Sequence, residues 1–198
     1  MTNQGRFLIT LLGMNTARLH VLHSREEIAA RVRCLGERIS RDYKGKFPLL
    51  VGILKGSFVF LADLMRSLEI PVEVDFVRLA SYGNSMESSG RVHLTKDLEI
   101  SVRGRDVLVV EDIVDSGRTL HELMEELARR GPSSLKSCCL LDKRHRREVS
   151  LEIDYVGFVM DEGFVVGYGL DWAESYRHLP DICIVEPGEG PASGSGAT

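Results

Sequence analysis

Hydrophobic positions change their spacing several times along this chain, and each change marks the edge of an expected element. Behind "LHVLHS", Ser24 followed three residues later by Glu27 forms a capping box, and Ile28, Val32, Leu35 and Ile39 then recur at helical spacing. That pattern predicts an amphipathic helix ending near "DYKGK". "PLLVGIL" is an unbroken apolar run, the kind of strand buried on both faces of a parallel sheet, and "KGSFVFLADLMRSLEIP" after it reads as a glycine turn leading into a helix. "VEVDFVRLASYG" predicts another strand. The polar stretch "GNSMESSG" behind it has only Met86 to bury and is expected to be a mobile loop.

The second half repeats the alternation. "RDVLVV" predicts a strand, and "GRTLHELMEELARRG" a helix with Leu120, Leu123, Met124 and Leu127 on one face. Glu125 with Arg129 and Glu126 with Arg130 stand as i,i+4 pairs, and Gly131 and Pro132 end the helix. "LKSCCLL", "DYVGFVM" and "DICIVE" predict three more strands, while the tail "PGEGPASGSGAT" (187–198) has almost nothing to bury and is expected to be disordered. Strands alternating with helices argue for an open α/β sheet, in which ligands bind beyond the carboxyl ends of the strands. No internal repeat or composition break divides the chain.

Composition narrows the function. The 198 residues are 43% hydrophobic, enough for one domain with its own core, and 29 acids against 25 bases give a net charge of −4. No global basic field points to nucleic acid, so a small-molecule site is expected. The four cysteines show no CxxC spacing; Cys138 and Cys139 lie in an apolar run and read as small buried hydrophobes, which favours a reduced, cytoplasmic compartment. "FLITLLGM" near the start is too short to span a bilayer and has no A-x-A cleavage site, so neither membrane nor secretion is expected. Met14 would itself make a reasonable start, and residues 1–13 are expected to be a translational extension.

The densest chemistry is "VVEDIVDSGRTL" (109–120), three carboxylates behind an apolar strand and then small, hydroxylated residues opening a helix. Backbone N–H groups at a helix N-terminus, the helix dipole and the hydroxyls of Ser116 and Thr119 favour a phosphate there. Ionised carboxylates only accept hydrogen bonds, so Glu111 and Asp112 suit the hydroxyls of a sugar beside that phosphate. An ordinary N-cap explains Asp115 or Ser116 taken singly. It does not explain the whole stretch.

This stretch resembles the phosphoribosyl pyrophosphate signature of the type I phosphoribosyltransferases. "GILKGSFVF", "LASYG", "LLDKRHRR" and "GFVVGYGLDWAESYRHLPDICIV" follow in family order, and together they resemble the hypoxanthine-guanine branch from about Leu19 to Glu186. The resemblance implies a mainly parallel twisted sheet flanked by helices, with a small hood formed by the N- and C-terminal segments. It divides the chain into an extension (1–18), a phosphoribosyltransferase domain (19–186) and a tail.

Residue roles implied by the resemblance are specific. Glu111 and Asp112 bind the ribose hydroxyls, and Asp115, Ser116, Gly117, Arg118 and Thr119 hold the 5′-phosphate, Arg118 through its backbone. Asp115 is the catalytic acid or base near N7 of the purine. Lys55 and Gly56 form a pyrophosphate loop in which the Leu54–Lys55 bond is often cis, and Arg177 also binds pyrophosphate. Ser81 and Tyr82 belong to a lid that excludes water. Lys143 donates to O6 of a 6-oxopurine, which argues against adenine, because an ammonium cannot accept a hydrogen bond from an amino group. Phe164 stacks on the base and the Val165 backbone reads its edge. Asp171 lies by the purine and, with Glu111 and Asp112, holds Mg²⁺.

Arg144 and Arg146 read as a solvated basic loop, Arg147 as a residue for the pyrophosphate or a subunit contact, and His145 and His178 as structural. The implied activity is phosphoribosyl transfer from phosphoribosyl pyrophosphate to hypoxanthine or guanine by a homodimer or homotetramer. Two alternatives stay open: a preference for xanthine, and a regulatory nucleic-acid-binding protein, which Lys55, Tyr82, Lys143, Phe164 and Asp171 argue against.

Overall fold

A computed structural model describes residues 7–8, 18–79 and 94–186. The expected loop "GNSMESSG", the lid residues Ser81 and Tyr82, and the tail from 187 lie outside the described residues, as does the expected extension apart from Phe7, Leu8 and Arg18. Two compact units form, one from Glu26 to Glu162 and the other from the described residues through Arg25 and from Gly163 onward.

The first unit is built on a six-stranded sheet. Its order is β5 (Leu94–Lys96), β4 (Glu73–Leu79), β3 (Leu49–Leu54), β6 (Asp106–Val114), β7 (Ser134–Asp142) and β8 (Tyr155–Val159), with every pairing parallel except β4 to β5. The apolar runs supply the central strands because residues such as Leu49, Leu50, Val51 and Val107 to Val110 are fully buried, as a strand covered on both faces requires. Helix α1 (Arg25–Asp42) buries Ile28, Val32, Leu35 and Ile39, the stripe read from the sequence. Helix α2 (Phe58–Ser67) packs on β3 and β6, and helix α3 (Arg118–Arg129) on β6 and β7. Cys138 and Cys139 are fully buried in β7, and burial pushes both thiols up; all four cysteines are free.

Three details differ from the sequence reading. Strand β6 runs on through Val114, paired with β7 as far as Val114↔Asp142, so Glu111 and Asp112 lie in the strand itself rather than in a turn behind it. On α3, Arg129 pairs with Glu126 at 2.7 Å and Glu125 with His121 at 3.5 Å, leaving Glu126 to Arg130 as the expected i,i+4 bridge. The antiparallel edge strand β5 had no periodic signal.

Topology fixes where a ligand belongs. From β3 the chain passes through α2 to β4 on one side, then returns to β6 on the other, so the strand order reverses between β3 and β6. The crevice beyond the carboxyl ends of strands at such a reversal is the usual ligand site of open α/β sheets.

Asp75 in β4 ties the return segment down. Its carboxylate accepts the backbone N–H groups of Phe76 and Glu99 at 2.7 Å and of Ile100 at 2.9 Å. Burial alone would raise its pKa, but these bonds and Lys96 outweigh it and hold the group below the usual carboxylate range. A depressed folded-state pKa gives stability that is present above the unfolded value and lost as pH falls through the folded one. Asp75→Asn is therefore expected to cost about 1–3 kcal/mol at pH 7 and to flatten the acid-side fall in Tm, followed by circular dichroism. An unchanged Tm-pH profile would contradict this role.

The second unit is a small sheet in the order β1 (Phe7–Leu8), β2 (Arg18–His23), β10 (Ile182–Glu186) and β9 (Val165–Val166), antiparallel throughout. Leu19, Val166, Cys183 and Val185 form its core.

Candidate active site

At the reversal point the pairing of β3 with β6 stops at Gly52↔Val110, one residue before Glu111. The next residues of β6 thus leave the β3 edge. Asp112 turns its carboxylate against the turn after β3, where a Cβ on Gly56 would collide with it. Glycine at 56 is what lets the Lys55–Gly56 turn and the acid share this space. The Leu54–Lys55 bond is cis, and Ser57 Oγ donates to the Ile53 carbonyl at 2.6 Å beneath it.

Glu111 and Asp112 are both buried. Burial, and next the charge of Asp112, drive the Glu111 carboxyl well above its ordinary value. A buried pair of acids destabilises the fold, so its presence speaks for a ligand rather than for stability. Glu111→Gln is expected to raise Tm by roughly 2–4 °C per kcal/mol of repulsion removed while turnover drops. A lower Tm would contradict that reading.

Beyond Val114 the chain makes the turn Asp115–Gly117 into α3. Gly117 is the N-cap, at φ 82°, and no side chain caps the helix. Neither Asp115 nor Ser116 takes that ordinary role; Ser116 Oγ accepts only a long bond, 3.4 Å, from the Arg118 N–H. The Arg118 guanidinium points to Glu148 at 2.6 Å, while Thr119 is exposed at the start of the helix. Lys143, side chain 8% exposed, lies 3.4 Å from Asp115, and Arg146 meets the other Asp115 oxygen at 2.7 Å.

Arg144 and Arg146 are exposed, as the solvated reading has them, but each also meets an acid. Arg144 pairs with Asp142 at 2.9 Å and Arg147 bonds the same carboxylate, which is almost completely buried at the end of β7. Asp142 is not among the sequence candidates, although an acid closing an apolar strand before four bases carries the same signal as Glu111 and Asp112. His145 meets only Asp161, 3.1 Å away on the surface.

Four of the remaining candidates lie in the second unit. Val165 is buried in β9, and Phe164 beside it is half exposed, its ring 5.9 Å from that of Trp172 in an edge-to-face contact. Asp171 and Arg177 pair at 2.7 Å. Arg177 also donates to the Gly169 carbonyl at 2.7 Å and meets Glu174 at 3.2 Å, and the Glu174 N–H bonds Asp171 at 2.8 Å. These bonds close a loop in which Tyr168, Ala173, Glu174 and Tyr176 all have positive φ.

Residues 20–172 match the family profile described as the phosphoribosyl transferase domain. The hypoxanthine-guanine phosphoribosyltransferase of Bacillus subtilis is 48% identical over 167 residues, 84% of this chain and 93% of that protein. The chain belongs to the hypoxanthine-guanine phosphoribosyltransferase family. The crystal structure of such a phosphoribosyltransferase from Bacillus anthracis superposes with a TM-score of 0.78 at 44% identity, covering 84% of this chain and 96% of that one. A bifunctional TilS/HprT protein of Listeria innocua is 50% identical over 84% of this chain, but the match takes up only 26% of that longer relative. Family membership accounts for the mainly parallel sheet and for the small second sheet made by the two terminal segments.

Proposed function

We propose that this chain transfers the 5-phosphoribosyl group of phosphoribosyl pyrophosphate to N9 of hypoxanthine or guanine, forming IMP or GMP and pyrophosphate. The observation that carries the proposal is the crevice between β3 and β6, where two buried acids lead into a helix N-terminus without a side-chain cap. Glu111 and Asp112 accept hydrogen bonds from the ribose hydroxyls, and the loop from Asp115 to Thr119 surrounds the 5′-phosphate with backbone N–H groups and the hydroxyls of Ser116 and Thr119. Arg118 contributes its backbone. Lys55 and Gly56 are the proposed pyrophosphate residues of the first unit, and Arg177 that of the second.

Chemistry at the base follows from Asp115 and Lys143. Lys143 donates to O6, and Phe164 and the Val165 backbone hold the ring. As the C1′–O bond to pyrophosphate breaks and the C1′–N9 bond forms, Asp115 takes the proton from N7 or steadies the charge that develops there. Ser81 and Tyr82 close over the reacting centre to keep water out.

Mg²⁺ fits the donor set. No group of three His, Cys, Asp or Glu able to hold a metal occurs among the described residues. Mg²⁺ commonly binds through one or two carboxylates with substrate phosphates and water completing its shell. Glu111 and Asp112 would be its carboxylates in the first unit, with substrate oxygens and water completing the shell, and Asp171 is the proposed magnesium residue of the second unit; the ion would supply charge neutralisation for the departing pyrophosphate. The working form proposed is a cytoplasmic homodimer or homotetramer; the location is supported by the four free cysteines, which suit a reducing compartment.

Pyrophosphate release from phosphoribosyl pyrophosphate with hypoxanthine or guanine tests the proposal. Release is expected to stop on chelation and return with added Mg²⁺. Folded protein that releases none with either base would contradict it.

A further inference from the structure

Arg147, read from the sequence as a residue for the pyrophosphate or a subunit contact, is instead packed against the phosphate loop at Gly117. Its Cδ and Nη1 stand 2.7 Å from where a Cβ on Gly117 would be, and Val149 Cγ2 stands 3.2 Å from the same point. The side chain thus rests directly on the residue whose φ of 82° turns the chain into α3. The guanidinium is anchored from behind by the buried Asp142. Only Nη2 is used in that bond; Nη1 is buried and has no hydrogen-bond partner. A buried, charged donor without an acceptor is costly, and it sits where the loop would gather a dianion.

Neighbouring residues of the same segment hold the loop too. The Glu148 N–H bonds the Ser116 carbonyl at 2.9 Å, the Lys143 N–H bonds the Val114 carbonyl at 3.0 Å, and Arg118 reaches Glu148. Both edges of the 115–117 turn are therefore held by the 143–149 segment, with Arg147 at its centre.

We propose that Arg147 is a positioning residue of the phosphate loop: held by Asp142 and packed on Gly117, it fixes the left-handed turn that aims the loop's N–H groups, and its charge favours a phosphate dianion there. This rests on the phosphoribosyl-transfer reading of the same loop. Arg147 acts through the loop rather than on the reacting bond, so its loss falls on phosphate recognition.

Titration calorimetry with IMP and with inosine, which lacks the phosphate, tests this on the full chain. Arg147→Met is expected to weaken IMP by about 10- to 100-fold, the scale of one charge-assisted interaction, and to leave inosine unchanged. The KM for phosphoribosyl pyrophosphate should rise more than kcat falls. Arg147→Lys keeps the charge without the fork and should lie between, and it serves alone if the methionine variant does not fold. Equal losses for IMP and inosine, or no loss for IMP, would overturn the proposal. Parent protein that binds no IMP would overturn the phosphoribosyl reading itself, and this role with it.

Discussion

Asp115→Asn is expected to lower turnover by about 10²- to 10⁴-fold with phosphoribosyl pyrophosphate binding kept within a few-fold. The substitution preserves shape, and the amide oxygen can still accept from one of Lys143 and Arg146, which lie 3.4 and 2.7 Å from different carboxylate oxygens, while the amide NH2 faces the other. An amide cannot take the proton that leaves the purine, nor balance the charge that develops on the ring. Rapid-quench measurement of the first turnover, with binding measured separately by calorimetry, distinguishes the two effects. Unchanged turnover would remove Asp115 from the chemistry. Loss of binding equal to the loss of turnover would make it a ligand anchor only.

Gly56→Ala is expected to be nearly as damaging, although it adds a single methyl group. That methyl would overlap the Asp112 carboxylate, so either the acid or the 55–57 turn must move. Displacement of about 1 Å in a positioned group costs on the order of 10²-fold in rate. Thermal stability should fall as well, because the displaced carboxylate belongs to a buried residue of β6. A variant with parental kcat/KM would show that the close approach of Gly56 and Asp112 has no functional purpose.

The sequence made the frame of this site legible because its elements obey simple periods. The stripe of α1, the leucines of α3 and the apolar runs of β3 and β6 all appear where their spacing places them. Short elements escaped: β5 has three residues and β9 two, fewer than a period-2 pattern needs to be recognised. The end of β6 departs from its composition for a different reason. Glu111 and Asp112 look like turn residues by composition, but the ladder with β7 carries the strand through Val114 whatever their polarity.

Ion pairing was the least legible level. Asp142 with Arg144 and Arg147 is local in sequence, yet which base takes which acid depends on how residues 143–149 lie against the turn at 115–117. The contact between Arg146 and Asp115 spans thirty-one positions and exists only because β6 and β7 are neighbours. In the second unit, the pairing of Asp171 with Arg177 depends on a run of left-handed residues that no propensity scale anticipates.

The most direct measurement is steady-state turnover with phosphoribosyl pyrophosphate and Mg²⁺ against hypoxanthine, guanine, xanthine and adenine in parallel. Hypoxanthine and guanine are expected to turn over while adenine stays inert, since the Lys143 ammonium favours a carbonyl at position 6 and opposes an amino group. The xanthine rate ranks the remaining 6-oxopurine. Comparable turnover of adenine would contradict the role of Lys143, and no turnover with any base would contradict phosphoribosyl transfer altogether.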